Sequence, residues 1–436
     1  MRQPRNKRSP LKILILMIVA AFLVYVNLTI EPLSPTLFLP SPTPTISPEM
    51  FIAEAEQFAL EGKYSLALQA YDRAIKSSPT DPANYIAAAR LNLYAGNYDA
   101  AIENASNAVL LEQNNSMASA IQGFALGMRG DYLEGEASLN RAINLDPSNA
   151  AAYGYLSIML SNKILIGNEV LGDLDKAIEA SRTAESIAPA SLEAMWARGT
   201  VLEITGNYDE AVVELERAVA LNTNIADLHI TLGRNYRFLG EYDKAVEEFT
   251  RANALNPSDP FPDTLIARTY ASIGEFGRAI QYAEQAVADD PKDPYLYGNL
   301  GVMYRRNFEL EKAILMLKLA IRGGLTPEGV VVEGLPLAPG RVVEYYYNYG
   351  LTLMDLGYCG GEGQANQIAQ SILQSINNDQ VATDNANFIL ERCNKKINDL
   401  QLLRLPAPTM IPTWTPRPSA TPTPVATLVP TQSVLP

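Results

Sequence analysis

Seven stretches of this chain align on one another without a gap: GKYSLALQAYDRAI, GNYDAAIENASNAV, GDYLEGEASLNRAI, GDLDKAIEASRTAE, GNYDEAVVELERAV, GEYDKAVEEFTRAN and GEFGRAIQYAEQAV. Their leading glycines, Gly62, Gly96, Gly130, Gly172, Gly206, Gly240 and Gly274, are spaced by 34, 34, 42, 34, 34 and 34 residues. Ala74, Ala108, Ala142, Ala184, Ala218, Ala252, Ala286 and Ala320 recur in phase, and Pro79, Pro147, Pro189, Pro257 and Pro291 follow five residues later. Ahead of each glycine the apolar spacing is that of one helix, as in Leu232, Gly233, Tyr236 and Leu239. Behind it, positions such as Ala245, Val246, Phe249 and Ala252 mark a second helix. The glycine ends the first helix, where a left-handed residue without Cβ avoids a clash. Proline ends the second helix or opens the next. Such a helix–turn–helix unit cannot bury its apolar face alone and must stack on its own copies.

At these residues the chain resembles the tetratricopeptide repeat (TPR) family. The resemblance covers eight units, at 48–81, 82–115, 116–149, 150–191, 192–225, 226–259, 260–293 and 294–327. Position 8 is small in Gly123, Gly199, Gly233, Ala267 and Gly301, and position 17 is aromatic or Leu from Tyr64 to Leu310. The fourth unit departs by eight extra residues around Lys163–Leu171, which should lengthen its helices or its loop. The eighth has Phe308 at the turn glycine's place. Beyond Arg322 the period breaks at GGLTPEGVVVEGLPLAPGR, read as an ordered loop. Val342–Leu356 and Gln364–Ile376 then form a degenerate ninth unit, and Asp384–Leu403 reads as a capping helix. The expected fold is all-α: a right-handed TPR superhelix of about nine helix–turn–helix repeats plus the cap, with one N-terminal transmembrane helix and disordered Pro/Thr-rich ends. The divisions are 1–30, 31–47, 48–327, 328–403 and 404–436.

The ends differ from the middle. Arg2, Arg5, Lys7, Arg8 and Lys12 precede an unbroken apolar run, Ile13 to Val26, with Leu28 and Ile30 just beyond. A basic flank before an apolar run is the pattern of a first membrane segment with its N-terminus inside. No small-x-small cleavage site follows, so residues 13–30 are expected to be an uncleaved signal anchor, with a cleaved signal peptide as the alternative. Either places the repeats outside the cytoplasmic membrane, the anchor as a single pass. The Pro/Ser/Thr spacer 31–47 and the tail 404–436 lack groups that pack. The tail has the composition of an O-glycosylated stalk or of an unmodified flexible segment.

Composition narrows the chemistry. Lys plus Arg is 34 and Asp plus Glu is 48, a net charge of −14 over 436 residues, which argues against nucleic acid as a partner. One histidine, His229, and two cysteines, Cys359 and Cys393, leave no set of several His or Cys ligands for a metal. His229 sits at a packing position of its unit, and no cofactor motif survives inspection, so no enzyme activity and no cofactor are expected. Cys359 and Cys393 fall in the ninth unit's turn and the last helix. In an oxidising compartment they can be bridged, with Cα atoms within about 7 Å; otherwise they are two buried thiols.

In the resembled family, positions 2, 5, 9, 12 and 13 of the first helices line a concave groove that holds extended peptides or partner helices. Here that stripe carries Arg234, Arg237, Arg268, Arg305 and Arg306, with Phe124, Trp196 and Phe238. The arginines are expected to form one basic strip suited to an acidic partner or a free C-terminal carboxylate. The competing reading is that they pair with acids of adjacent units and only knit the stack. The function that follows is a non-catalytic, membrane-anchored scaffold holding a protein or peptide partner in its groove. The alternative is an accessory subunit of an envelope machine that handles glycans or secreted chains.

Overall fold

The computed structural model describes residues 10–29, 47–361, 364–376 and 378–402. The chain divides into two units, Met1–Ser47 and Pro48–Pro436. In the first, α1 spans Pro10–Thr29. Among the described residues no helix is long and apolar enough to cross a membrane, so the single-pass anchor and the location built on it are corrected. The physical reason lies in the run itself. From 13 to 26 it rises only about 21 Å as a helix, against a hydrocarbon core of about 30 Å. Its extension to residue 30 takes in the polar Asn27 and Thr29. The spacer, apart from Ser47, and the tail 404–436 lie outside the described residues.

The second unit is a stack of helix pairs. In order they are α2 and α3 (Pro48–Leu60, Tyr64–Ser77), α4 and α5 (Pro82–Tyr94, Tyr98–Leu111), α6 and α7 (Ser116–Arg129, Tyr132–Leu145), and α8 and α9 (Ala150–Leu165, Asp173–Ile187). Then come α10 and α11 (Leu192–Ile204, Tyr208–Leu221), α12 and α13 (Ala226–Phe238, Tyr242–Leu255), α14 and α15 (Pro260–Ser272, Phe276–Asp289), and α16 and α17 (Pro294–Arg306, Leu310–Arg322). Six of the first helices start where a side chain caps them. Asp81, Asn115, Asn149, Ser191, Asp259 and Asp293 each accept a backbone N–H of the first turn. Proline opens α4, α14 and α16, where its missing N–H leaves no bond unmade.

The helices of a pair meet at small residues. Ala67, Ala101, Ala177, Ala211, Ala245, Ala279 and Ala313, all at the same place in the second helix, are fully buried. A Cβ added at Gly123 would lie 2.7 Å from the Gly135 carbonyl oxygen and from the Leu139 nitrogen, so only glycine permits that approach. At the eighth turn Phe308 takes φ 62° in the glycine's place, the one positive φ at a non-glycine among the described residues. The fourth unit absorbs its extra residues in both ways expected: α8 grows to 16 residues, and a loop with Gly167 and Gly172 at positive φ follows. Lys163 pairs with the buried Asp173 across that loop at 2.8 Å.

After α17 a short antiparallel hairpin, β1 (Gly324–Leu325) with β2 (Val331–Val332), folds back on the stack. The Leu335 N–H donates to the Ala320 carbonyl at 2.9 Å. The last helices are α18 (Arg341–Asp355), α19 (Ala365–Ser375) and α20 (Gln380–Leu402). Cys359 and Cys393, both buried, form a disulfide with Cα atoms 5.1 Å apart, which ties α20 to the turn after α18. Closing a 34-residue loop in this way contributes roughly 3–4 kcal/mol in the chain-entropy account.

The buried apolar residues form two large clusters, Ala89–Ile266 and Ala267–Cys393, and a small one over the first two pairs. The superhelix winds tightly enough to touch itself. Tyr98 Oη donates to Asp227 Oδ2 at 2.6 Å, and Tyr64 Oη lies 3.5 Å from Asn222 Oδ1, across sequence separations of 129 and 158 residues.

Candidate ligand-binding face

The concave surface of the early units is filled by the protein itself. Phe124 stacks on Tyr155 at 4.5 Å and meets Trp196 edge-on at 5.8 Å. These three rings are at most 2 % exposed. Phe124 and Trp196 are therefore not surface for a partner; the successive first helices α6, α8 and α10 pack closely enough to turn this part of the stripe into core. Phe238 is half-buried and stacks on Tyr208 at 4.6 Å, with the Arg237 guanidinium 5.5 Å from its ring centre.

The five arginines do not form one free strip. Arg234 is bidentate to Glu203, at 2.7 and 2.8 Å, and Glu203 is itself buried. Burial works against the Arg234 charge, but Glu203 overrides it and raises the pKa. Arg305 reaches Asp355 at 3.4 Å and Arg306 reaches Glu344 at 3.9 Å. For these three the stack-knitting reading holds, firmly at Arg234 and loosely at the other two.

Arg237 and Arg268 make no ion pair among the described residues. They converge on a cavity of about 300 Å³, where Arg306, Arg341, Asn299 and Glu344 also line the wall. Burial, together with the charges of Arg234 and Arg341, pushes Arg237 down to about 10. Asn299 is the hub. Its Oδ1 accepts from Arg268 (3.2 Å), Arg341 (3.1 Å) and Tyr345 Oη (2.9 Å). Two guanidinium donors on one atom fix which end of the amide is oxygen. The Asn299 Nδ2 atom is left buried with no hydrogen-bond acceptor, as is Arg237 Nε. Four guanidinium groups and an amide N–H thus face one carboxylate.

A second cavity, about 390 Å³, lies where α5 and α6 face α12 and α14, and Arg268 lines it as well. Asp227 and Asp259 sit on its wall. Burial raises Asp227 above the usual carboxylate range against the Tyr98 hydrogen bond and Arg234. Burial pushes Asp259 up to about 6, against the Phe261 N–H and with the help of Asp227 and Asp289.

Sequence reasoning missed Asn299, Arg341 and the two aspartates. Asn299 is at position 6, one residue outside the stripe considered, and a wider stripe would have found it. Arg341 stands beyond the broken period, where no phase assigns it a face. Asp227 and Asp259 sit at helix starts, where acids are ordinary, and only the winding places them in one cavity. His229 is structural: Nε2 faces the Thr223 carbonyl at 2.9 Å and Nδ1 faces Glu248 at 2.6 Å, so both ring nitrogens are occupied. Among the described residues no group of three metal-ligating side chains occurs.

Family models described as tetratricopeptide repeat match residues 226–259, and residues 170–224 and 264–327. These segments are tetratricopeptide repeats. A relative, the small glutamine-rich tetratricopeptide repeat-containing protein 2 of Mycosarcoma maydis, is 30% identical over 105 residues, which is 22% of this chain and 30% of that protein. Among solved structures, the MamA protein matches 40% of the chain and 90% of its own at 26% identity and TM-score 0.29. PilF of Pseudomonas aeruginosa matches 47% and 91% at 19% identity and TM-score 0.37. Yeast Tom70 matches 81% and 89% at 13% identity and TM-score 0.39.

Proposed function

We propose that this protein is a non-catalytic scaffold that holds a partner segment by its carboxylate in the arginine cavity between α12, α14, α16 and α18. The observation that carries the reading is the Asn299 hub, which presents Arg268 and Arg341 side by side and leaves its own amide N–H and Arg237 Nε without acceptors. Buried donors without acceptors are costly to maintain. A carboxylate satisfies several of them at once, and guanidinium groups match its geometry. A free C-terminal carboxylate on a protein segment fits better than a bulky group, given a cavity of about 300 Å³.

The test uses the full chain and a fluorescent hexapeptide library made with free and with amidated C-termini. Free-acid peptides should bind at least tenfold more tightly. Arg237→Ala with Arg341→Ala should cost about 2–5 kcal/mol of that binding, with helix content unchanged. Equal binding of acid and amide forms, or full binding by the double variant, would overturn the reading.

A further inference from the structure

The two cavities share Arg268 and differ in charge balance. In the smaller one, guanidinium groups outnumber the one carboxylate, Glu344. In the larger one, the positive charge is already committed: Arg234 is bound to Glu203 by both of its donors, and Arg268 points a donor at Asn299 in the neighbouring cavity. Asp227 and Asp259 make no ion pair of their own among the described residues. Each has one hydrogen-bond donor, Tyr98 Oη for Asp227 and the Phe261 N–H for Asp259. The remainder of that wall includes Met128, Ile230, Phe261 and Leu265. Apolar walls leading to two carboxylates suit a side chain with a methylene stem and a cationic head.

We propose that the two cavities are one site for a dipolar chain terminus, with the free carboxylate on Arg237, Arg268, Arg341 and Asn299 and a lysine or arginine three or four residues earlier seated between Asp227 and Asp259. This rests on the carboxylate reading above and adds its register. The spacing follows from the helices. Asp227 and Arg237 are ten residues apart on α12, a rise of about 15 Å. Asp259 and Arg268 are nine apart at α14, a rise of about 13–14 Å. An extended peptide covers about 3.3–3.6 Å per residue, so four residues bridge the ends, or three when the basic side chain reaches forward. The orphaned Asn299 amide, more than nine-tenths buried, marks the anionic end as a place that awaits a ligand.

The experiment walks one lysine through the free-acid hexapeptides, from the residue next to the terminus to the residue farthest from it, against norleucine at the same place. Affinity for the full chain should peak, by at least tenfold over norleucine, with lysine three or four residues before the terminus. Asp227→Asn with Asp259→Asn keeps the size, the Tyr98 partner and the helix cap. It should bring the lysine-to-norleucine ratio to one while the norleucine peptides bind as before. A flat lysine profile with a persisting preference for the free acid overturns the dipolar site and leaves the carboxylate reading standing. Loss of the free-acid preference overturns both. A lysine peak that survives the double Asn variant places the basic residue elsewhere and overturns the assignment to Asp227 and Asp259.

Discussion

In the third and fifth pairs the concave stripe carries Phe124 and Trp196; in the sixth and seventh, position 9 carries Arg234 and Arg268. One repeat grammar supports both, yet the consequences are opposite. The aromatic half closes on itself and buries its stripe in the cluster Ala89–Ile266. The arginine half stays open around Arg237 and Arg268, because bringing guanidinium groups together without partners costs desolvation and repulsion. What remains is a polar cavity flanked by a second core, Ala267–Cys393. The first half is stabilised by what it hides, the second is left able to bind by what it leaves unpaired.

The comparison can be broken most directly at Trp196. Trp196→Ala should destabilise by about 3–5 kcal/mol in urea unfolding, whereas Arg237→Ala should change stability by less than about 1 kcal/mol. A mild Trp196→Ala would mean that the rings do not hold the early units together. Next in size is the one arginine that behaves like the first half. Arg234→Ala strands the buried Glu203 and should cost about 3 kcal/mol or more, while Arg234→Met with Glu203→Leu should recover most of it. If the double variant is no better than the single, the pair is not a closed unit.

The third test uses pH and falls on the second half alone. Burial first, then the charge of Asp289 and its shared hydrogen bond, pushes Asp263 up to about 6, opposed by the Asn253 hydrogen bond. Burial likewise pushes Asp293 up to about 6. An acid whose folded pKa is raised takes up protons more readily when folded, so its contribution is present below about pH 4 and is lost as pH rises through about 6. Asp263→Asn should therefore stabilise at pH 7 relative to pH 4, by about 2–3 kcal/mol, read as the change in urea midpoint between the two pH values. An unchanged difference would remove Asp263 from the account. The smallest effect is at the eighth turn. Phe308→Gly should add about 1 kcal/mol by relieving the positive φ; loss of stability instead would show that the exposed ring has packing of its own.

Much of this could be read before any coordinates. The period, the alanines and the turn glycines implied paired, stacked helices, because those features act within about 34 residues and need no distant partner. The apolar run at 13–26 was over-read: hydropathy identified a helix, and the helix was counted as longer than its apolar part. The arginine stripe was found from phase alone, but phase says which way a residue faces and not what it meets. That is why Arg234 and Arg268 looked alike in sequence while Glu203 occupies one and Asn299 orients the other.

By itself the sequence determined the local matter: where helices start, where they turn, which faces are small enough to pack, and that the two cysteines fall at the same end of the chain. The tertiary structure alone decided how tightly the stack winds, and with it everything that depends on residues some seventy or more positions apart. Tyr98 meets Asp227, Phe124 disappears under Trp196, and Arg341 arrives beside Arg268 after the period has ended. The reason is cumulative. Each unit adds a small rotation set by its side-chain packing, and only the sum over several units settles whether two concave faces touch or stay apart.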